Sequence, residues 1–137
     1  VFHFHLSDNL YNNPNYTYEQ QMELYARFRL WSDDPRVQGL NKYANESYTR
    51  EDFEYIQSAC AARGVTVIPE IESPGHALVI SQWKPELGLQ DSLDQLNISY
   101  PDTIPTVKAI WDVFTPWFKS KVLEIGADEY SDESLSA

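Results

Sequence analysis

The chain has 137 residues, enough for one small domain with a core of its own. Its 21 acidic and 10 basic side chains give a net charge of −11, which argues against nucleic-acid backbones and anionic membranes as partners. No apolar run is long enough to span a bilayer, and no signal peptide is visible.

The first six residues, Val1-Phe2-His3-Phe4-His5-Leu6, alternate histidine with phenylalanine and leucine. That period of two predicts a strand, and a chain met in mid-strand is expected to be a piece of a larger unit. His3 and His5, spaced i and i+2, fall on one strand face. With His76 and an acid they form one candidate metal set, and a polar or hydrogen-bonded strand interior is the competing reading. Residues 9–48 are rich in Asn, Tyr, Asp and Pro and too long for a plain connection. They predict a functional loop with local helix around Glu19–Arg29. Three sequons, at Asn15, Asn45 and Asn97, tilt the reading toward a secreted, glycosylated protein.

Thr49 is placed as an N-cap, with Asp52 three residues on to close a capping box. Phe53, Ile56 and Cys60 then recur at helical spacing, and Gly64 ends the helix. Cys60, the only cysteine, permits no internal disulfide and reads as a small buried apolar residue. Val65-Thr66-Val67-Ile68 is a second predicted strand, running into Pro69-Glu70-Ile71-Glu72. Ser73-Pro74-Gly75-His76 is a turn, a short helix follows through Trp83, and residues 84–101 read as loop. Ile104, Val107, Ile110 or Trp111, Phe114 and Phe118 mark one face of a further helix, with Pro116 ending or kinking it. Lys121 to Ile125 is the third predicted strand.

Strand, long loop, helix, strand, loop, helix, strand is a βαβαβ order, which calls for parallel strands. An open three-layer sheet also fits that order, but no Gly-rich phosphate loop accompanies it. The residues able to do chemistry fall where strands end: Asp8 after the first, Glu72 and His76 after the second, Asp128 and Glu129 after the third. That is how an active-site face is arranged on a parallel sheet. The adjacent pair Asp128-Glu129 ends a buried strand after Gly126-Ala127, whose small side chains leave room for a ligand. Two neighbouring carboxylates cannot flank a sugar from opposite sides at the roughly 5 Å that ordinary retention needs. They suit a division of labour in which one protonates a leaving group while the other stays ionised.

Three stretches, "FHFHLSD", "SYTREDFEYIQSACAARGVTVIPEIESPGHA" and "LEIGADEY", resemble in order the catalytic barrel of glycoside hydrolase family 20, the β-N-acetylhexosaminidases. The family carries a His-x-His-Leu-x-Asp strand, an Ile-Pro-Glu-Ile-Asp-x-Pro-Gly-His segment and a Gly-Gly-Asp-Glu strand end. The likeness covers most of the chain apart from residues 9–48. It implies a partial TIM (β/α)8 barrel holding about strands two to four, truncated at both ends, since a whole barrel needs about 250 residues. The strand with the sugar-binding Arg, and the later strands with their Tyr and Trp residues, then lie outside the chain.

The resemblance also implies a substrate-assisted retaining mechanism, in which the 2-acetamido oxygen of the substrate attacks the anomeric carbon. Glu129 matches the general acid and later base. Asp128 matches the residue that orients the acetamido group, and Asp8 and His76 match a supporting chain. Departures from the family pattern are Asn9, Glu72, Glu124 and Ala127. The expectation is therefore a secreted, extracellular, or else lysosomal or vacuolar, exo-β-N-acetylhexosaminidase. It would need no cofactor or metal and would act on oligosaccharides ending in N-acetylglucosamine or N-acetylgalactosamine, chitin oligomers among them. Residues 1–137 would form part of one catalytic domain, inactive alone. The alternatives are a metal-dependent hydrolase using His3, His5 and His76, and a non-catalytic sugar-binding barrel.

Overall fold

The computed structural model describes residues 1–10 and 12–130, and of Asp128 the backbone alone. The alternating histidines and apolar residues form β1 (Phe2–His5). The chain continues into β2 (Ser7–Asn9), helix α1 (Tyr18–Glu23) and β3 (Ala26–Phe28). The helix expected around Glu19–Arg29 is thus shorter and earlier. Thr17 and Gln20 close a capping box at its start. Beyond Leu24 the chain turns extended, because β2 offers it an antiparallel partner with Ser7 opposite Phe28 and Asp8 opposite Arg27.

Helix α2 (Arg50–Ala61) starts at the expected cap, with the Thr49 hydroxyl accepting from the Asp52 N–H and Asp52 bonding back to the Thr49 N–H. Its fully buried Phe53 packs against the rings of Phe4 and Phe118. Gly64, with φ +70°, lets the chain leave the helix and enter β4 (Val67–Glu70). β4 lies parallel to β1 in the register Phe2 to Val67 and His5 to Glu70.

Helix α3 (Leu78–Trp83) follows the Ser73–His76 turn. Residues expected as loop then form a hairpin, β5 (Gly88–Leu89) and β6 (Ser92–Leu96). Leu87, Leu93 and Leu96 point from this region into the core. The last helix, α4 (Thr103–Phe114), buries Thr103, Thr106, Ile110, Val113 and Phe114. Ile104, expected on that face, is exposed. Pro116 sits in a short 3-10 turn, Thr115–Trp117, so it ends the helix rather than kinking it.

The third predicted strand is reduced to a bridge at Glu124, parallel to Glu70. The pairing is nonetheless made. Ile71 N–H donates to Glu124 C=O at 3.1 Å, Ser73 N–H to Ile125 C=O at 3.0 Å, and Glu124 N–H to Pro69 C=O at 3.0 Å. The fold is α/β with parallel strands, and His5, Glu70 and Glu124 stand side by side across them. No helix among the described residues is long and apolar enough to cross a membrane.

Candidate active site

The carboxyl ends of β1, β4 and the Glu124 segment gather the ionisable side chains. At the floor, Glu70 Oε2 receives both histidines of β1, with His5 Nδ1 at 2.5 Å and His3 Nε2 at 3.0 Å. One strand face thus brings His3 and His5 to one carboxylate, as their spacing requires. His5 Nε2 reaches the other way to Asp8 Oδ2 at 3.4 Å. Burial works to lower the His5 pKa. The hydrogen bond to Glu70 and the charges of Asp8, Glu70 and Glu72 outweigh it, so the net shift is upward.

Glu72 stands one step above. Its N–H donates to the Ser7 hydroxyl at 2.8 Å, and its Oε1 lies 3.6 Å from His5 Nδ1. Its carboxyl is pushed up to about 7, first by burial and then by the charge of Glu70, with the two histidines pulling the other way. Glu72 Oε2 has no hydrogen-bond partner among the described residues. It lies under Gly126, where an added Cβ would come within 1.9 Å of it. Gly126 also has φ +61°, the left-handed region. Glycine is required there for both reasons, and the turn it makes leads to Glu129 at the site.

The rim is made by His76 and Glu129, whose Nε2 and Oε2 form an ion pair. Burial lowers the His76 pKa, but the Glu129 hydrogen bond and the charges of Glu72, Glu129 and Asp8 raise it above the ordinary value. His76 itself has φ +47°, an uncommon conformation outside glycine that aims its ring across the turn. The β5–β6 hairpin holds both partners in place. Leu96 N–H donates to Pro74 C=O at 2.8 Å, and Ala77 N–H donates to Asp94 C=O at 2.8 Å. Beyond Glu129, the Tyr130 hydroxyl donates to Leu96 C=O, also at 2.8 Å.

Of the residues singled out in the sequence, His76 and Glu129 meet directly. Asp8 meets His5, and its charge reaches His76 without a direct contact. The Asp128 side chain lies outside the described residues. Sequence reasoning missed Glu70 as the hub of the floor, Ser7 and the hairpin. Glu70 could have been found from the parallel register, which sets it opposite His5. The metal set His3, His5 and His76 is divided, since His3 and His5 share Glu70 while His76 engages Glu129. Among the described residues, the group whose ligand atoms do come together, within 4.8 Å, is His5, Glu70 and Glu72.

The sequence model of glycosyl hydrolase family 20, catalytic domain, matches residues 1–137. The chain belongs to this family. Among family 20 relatives, a lacto-N-biosidase of Bifidobacterium bifidum is 35% identical over 102 residues, covering 70% of this chain and 9% of its own length. Beta-hexosaminidase 3 of Arabidopsis thaliana is 28% identical over 139 residues, covering 100% of this chain and 23% of its own. The chain thus spans under a quarter of the length of these relatives. Its fold is that of solved family 20 structures. Flavobacterium johnsoniae chitobiase superposes with a TM-score of 0.73 at 22% identity, over 99% of this chain and 20% of that one. The beta-N-acetylhexosaminidase of Bacteroides fragilis gives 0.68 at 24% identity, over 96% and 26%.

Proposed function

We propose that this family 20 chain is the part of a single (β/α)8 catalytic domain that holds strands two to four, with 9–48 as a long βα loop. The complete protein acts as an exo-β-N-acetylhexosaminidase on oligosaccharides ending in N-acetylglucosamine or N-acetylgalactosamine. The observation that carries this reading is the His76–Glu129 ion pair at the carboxyl end of the parallel strands, in a chain matched by the family model from end to end.

In this mechanism Glu129 gives its proton to the glycosidic oxygen as the bond to the anomeric carbon breaks. The carbonyl oxygen of the substrate's 2-acetamido group attacks that carbon and closes an oxazolinium ring. Asp128 holds the acetamido N–H and offsets the positive charge. Water then adds at the anomeric carbon, Glu129 takes a proton from it, and the ring opens with the configuration retained. No second carboxylate across the sugar is needed, which explains why two acids can sit side by side.

His76 is a positioning residue that keeps a proton close to Glu129. Its raised pKa keeps that proton available above the ordinary histidine range and releases it as pH rises further. Asp8 acts on His76 through its charge and orients His5. Asn15 and Asn45, both exposed, support a secreted and glycosylated parent.

The test is Glu129→Gln in the full-length protein, assayed on aryl β-N-acetylglucosaminides with good and poor leaving groups. General acid catalysis contributes roughly 10²–10⁴-fold, and poor leaving groups depend on it most. The expected loss is therefore large for poor leaving groups and smaller for good ones. Equal losses on both remove Glu129 as the acid. The likeness to a lacto-N-biosidase supports a second reading, in which the complete protein acts as a biosidase. An aryl disaccharide substrate in the same assay separates the two.

A further inference from the structure

The turn that bears Glu129 is fastened at both ends. Before it, Ser73 N–H donates to Ile125 C=O at 3.0 Å, and Gly126 then bends the chain with φ +61°. A single 3-10 turn, Ala127–Glu129, follows. Such a turn has poor hydrogen-bond geometry of its own, so outside contacts must keep its shape. After it the chain is extended again at Tyr130, with φ −77° and ψ 120°. The Tyr130 hydroxyl donates to Leu96 C=O at 2.8 Å.

Leu96, the last residue of β6, is fully buried, and its backbone reaches both turns of the site. Its N–H donates at 2.8 Å to the C=O of Pro74, two residues before His76. Its C=O accepts from Tyr130, the residue directly after Glu129. Asp94 C=O, two residues back on β6, accepts at 2.8 Å from the N–H of Ala77, the residue directly after His76. Alternate residues of a strand turn their backbone groups to one edge. One edge of β6 therefore spans the His76 turn from Pro74 to Ala77 and takes hold of the Glu129 turn at Tyr130. The two turns also pack on each other. A Cβ added at Gly75 would stand 3.6 Å from the Glu129 carbonyl group and 3.8 Å from the Tyr130 nitrogen, ordinary van der Waals contact.

The Tyr130 hydroxyl is a side-chain link in this frame of backbone bonds. Burial pushes the phenol above its ordinary value, so it remains a donor at neutral pH. A general acid must stand within hydrogen-bond reach of the atom it protonates, and a misplacement of about 1 Å can cost about 10²-fold. We propose that Tyr130 is a positioning residue for Glu129, whose turn its bond to Leu96 holds against β6 so that the carboxyl meets His76 and the glycosidic oxygen together. This rests on the reading of Glu129 as the general acid.

The experiment measures kcat/KM of the full-length protein and of Tyr130→Phe on aryl β-N-acetylglucosaminides with poor and good leaving groups. Phenylalanine keeps the ring and removes the hydroxyl. The loss should be about two- to tenfold greater on the poor leaving group, which depends most on an aimed acid. The same substitution is then made in the Glu129→Gln protein, where no acid remains to be aimed. There it should add no further dependence on the leaving group. Equal losses on both substrates, or the same selective loss without the acid, make the hydroxyl a contact of the fold alone and overturn the proposal. A Tyr130→Phe protein without a cooperative unfolding transition does the same. A Glu129→Gln loss that is equal on both substrates overturns the acid reading itself.

Discussion

Glu72 and Glu129 are the same residue type on one strand-end face, and their surroundings divide them. The Glu72 side chain is 6% exposed and crowded by Glu70, while that of Glu129 is 64% exposed and faces His76. Burial and a like charge hold the Glu72 carboxyl protonated up to about 7. Glu129 has His76 as its partner and open solvent around it. Environment, rather than residue type, separates a buried carboxyl that is raised by burial and a like charge from an exposed one that faces His76. Gly126 joins the two, since it covers Glu72 and opens the turn that carries Glu129.

The largest way to disturb this division is Gly126→Ala. A methyl group there meets Glu72 Oε2 at 1.9 Å, and φ +61° is unfavourable for alanine. The left-handed conformation alone costs about 1–3 kcal/mol. The full-length variant should lose at least that much stability in a denaturant titration. Turnover should fall with it if Glu129, borne on the displaced turn, is the acid proposed above. Wild-type stability and turnover together would show that the buried and exposed acids are not coupled through Gly126.

A smaller effect is expected from Glu72→Gln, which keeps the shape and removes the titration. The Glu72 carboxyl moves from an ordinary 4.5 to about 7 on folding. Between those values the folded state therefore binds the proton that the unfolded state has released. Stability falls as pH rises through that window, the reverse of the usual carboxylate case. Denaturant midpoints measured from about pH 4 to pH 8 should show that slope in the wild type and a flatter one in the variant. Identical slopes would mean that folding does not shift the Glu72 carboxyl.

Features that depend on neighbours in sequence were legible. The Thr49–Asp52 capping box spans three residues, the His3–His5 alternation spans two, and both appear as expected. The strand-end placement of His76 and Glu129 followed from motif order, and they meet. Features that need a distant partner were not legible. Residues 26–28 leave the helical path only because β2, far back in the chain, pairs with them. The hairpin over 88–96 turns at Gln90-Asp91, a pair without the usual Gly or Asn signal, so its stretch read as loop. Glu70 looked like strand filler until the parallel register set it against His5. Gly126 read as a space-maker for ligand, whereas its first duty is to accommodate Glu72.

The substrate-assisted mechanism is tested most directly at Asp128. The Asp128→Asn variant of the full-length protein should be compared with wild type in two measurements, Ki for a thiazoline mimic of the bicyclic intermediate and kcat on an activated aryl substrate. On the proposed mechanism Asp128 acts on the acetamido group, so the defect should persist when the leaving group needs no proton. A lost charge-assisted hydrogen bond is worth about 1.5–3 kcal/mol, or about 10- to 100-fold. The mimic should bind the variant more weakly by about that factor, and the loss in turnover should fall on kcat rather than KM. If the variant keeps wild-type affinity for the mimic and wild-type kcat, Asp128 does not touch the acetamido group and the substrate does not supply the nucleophile in the way proposed.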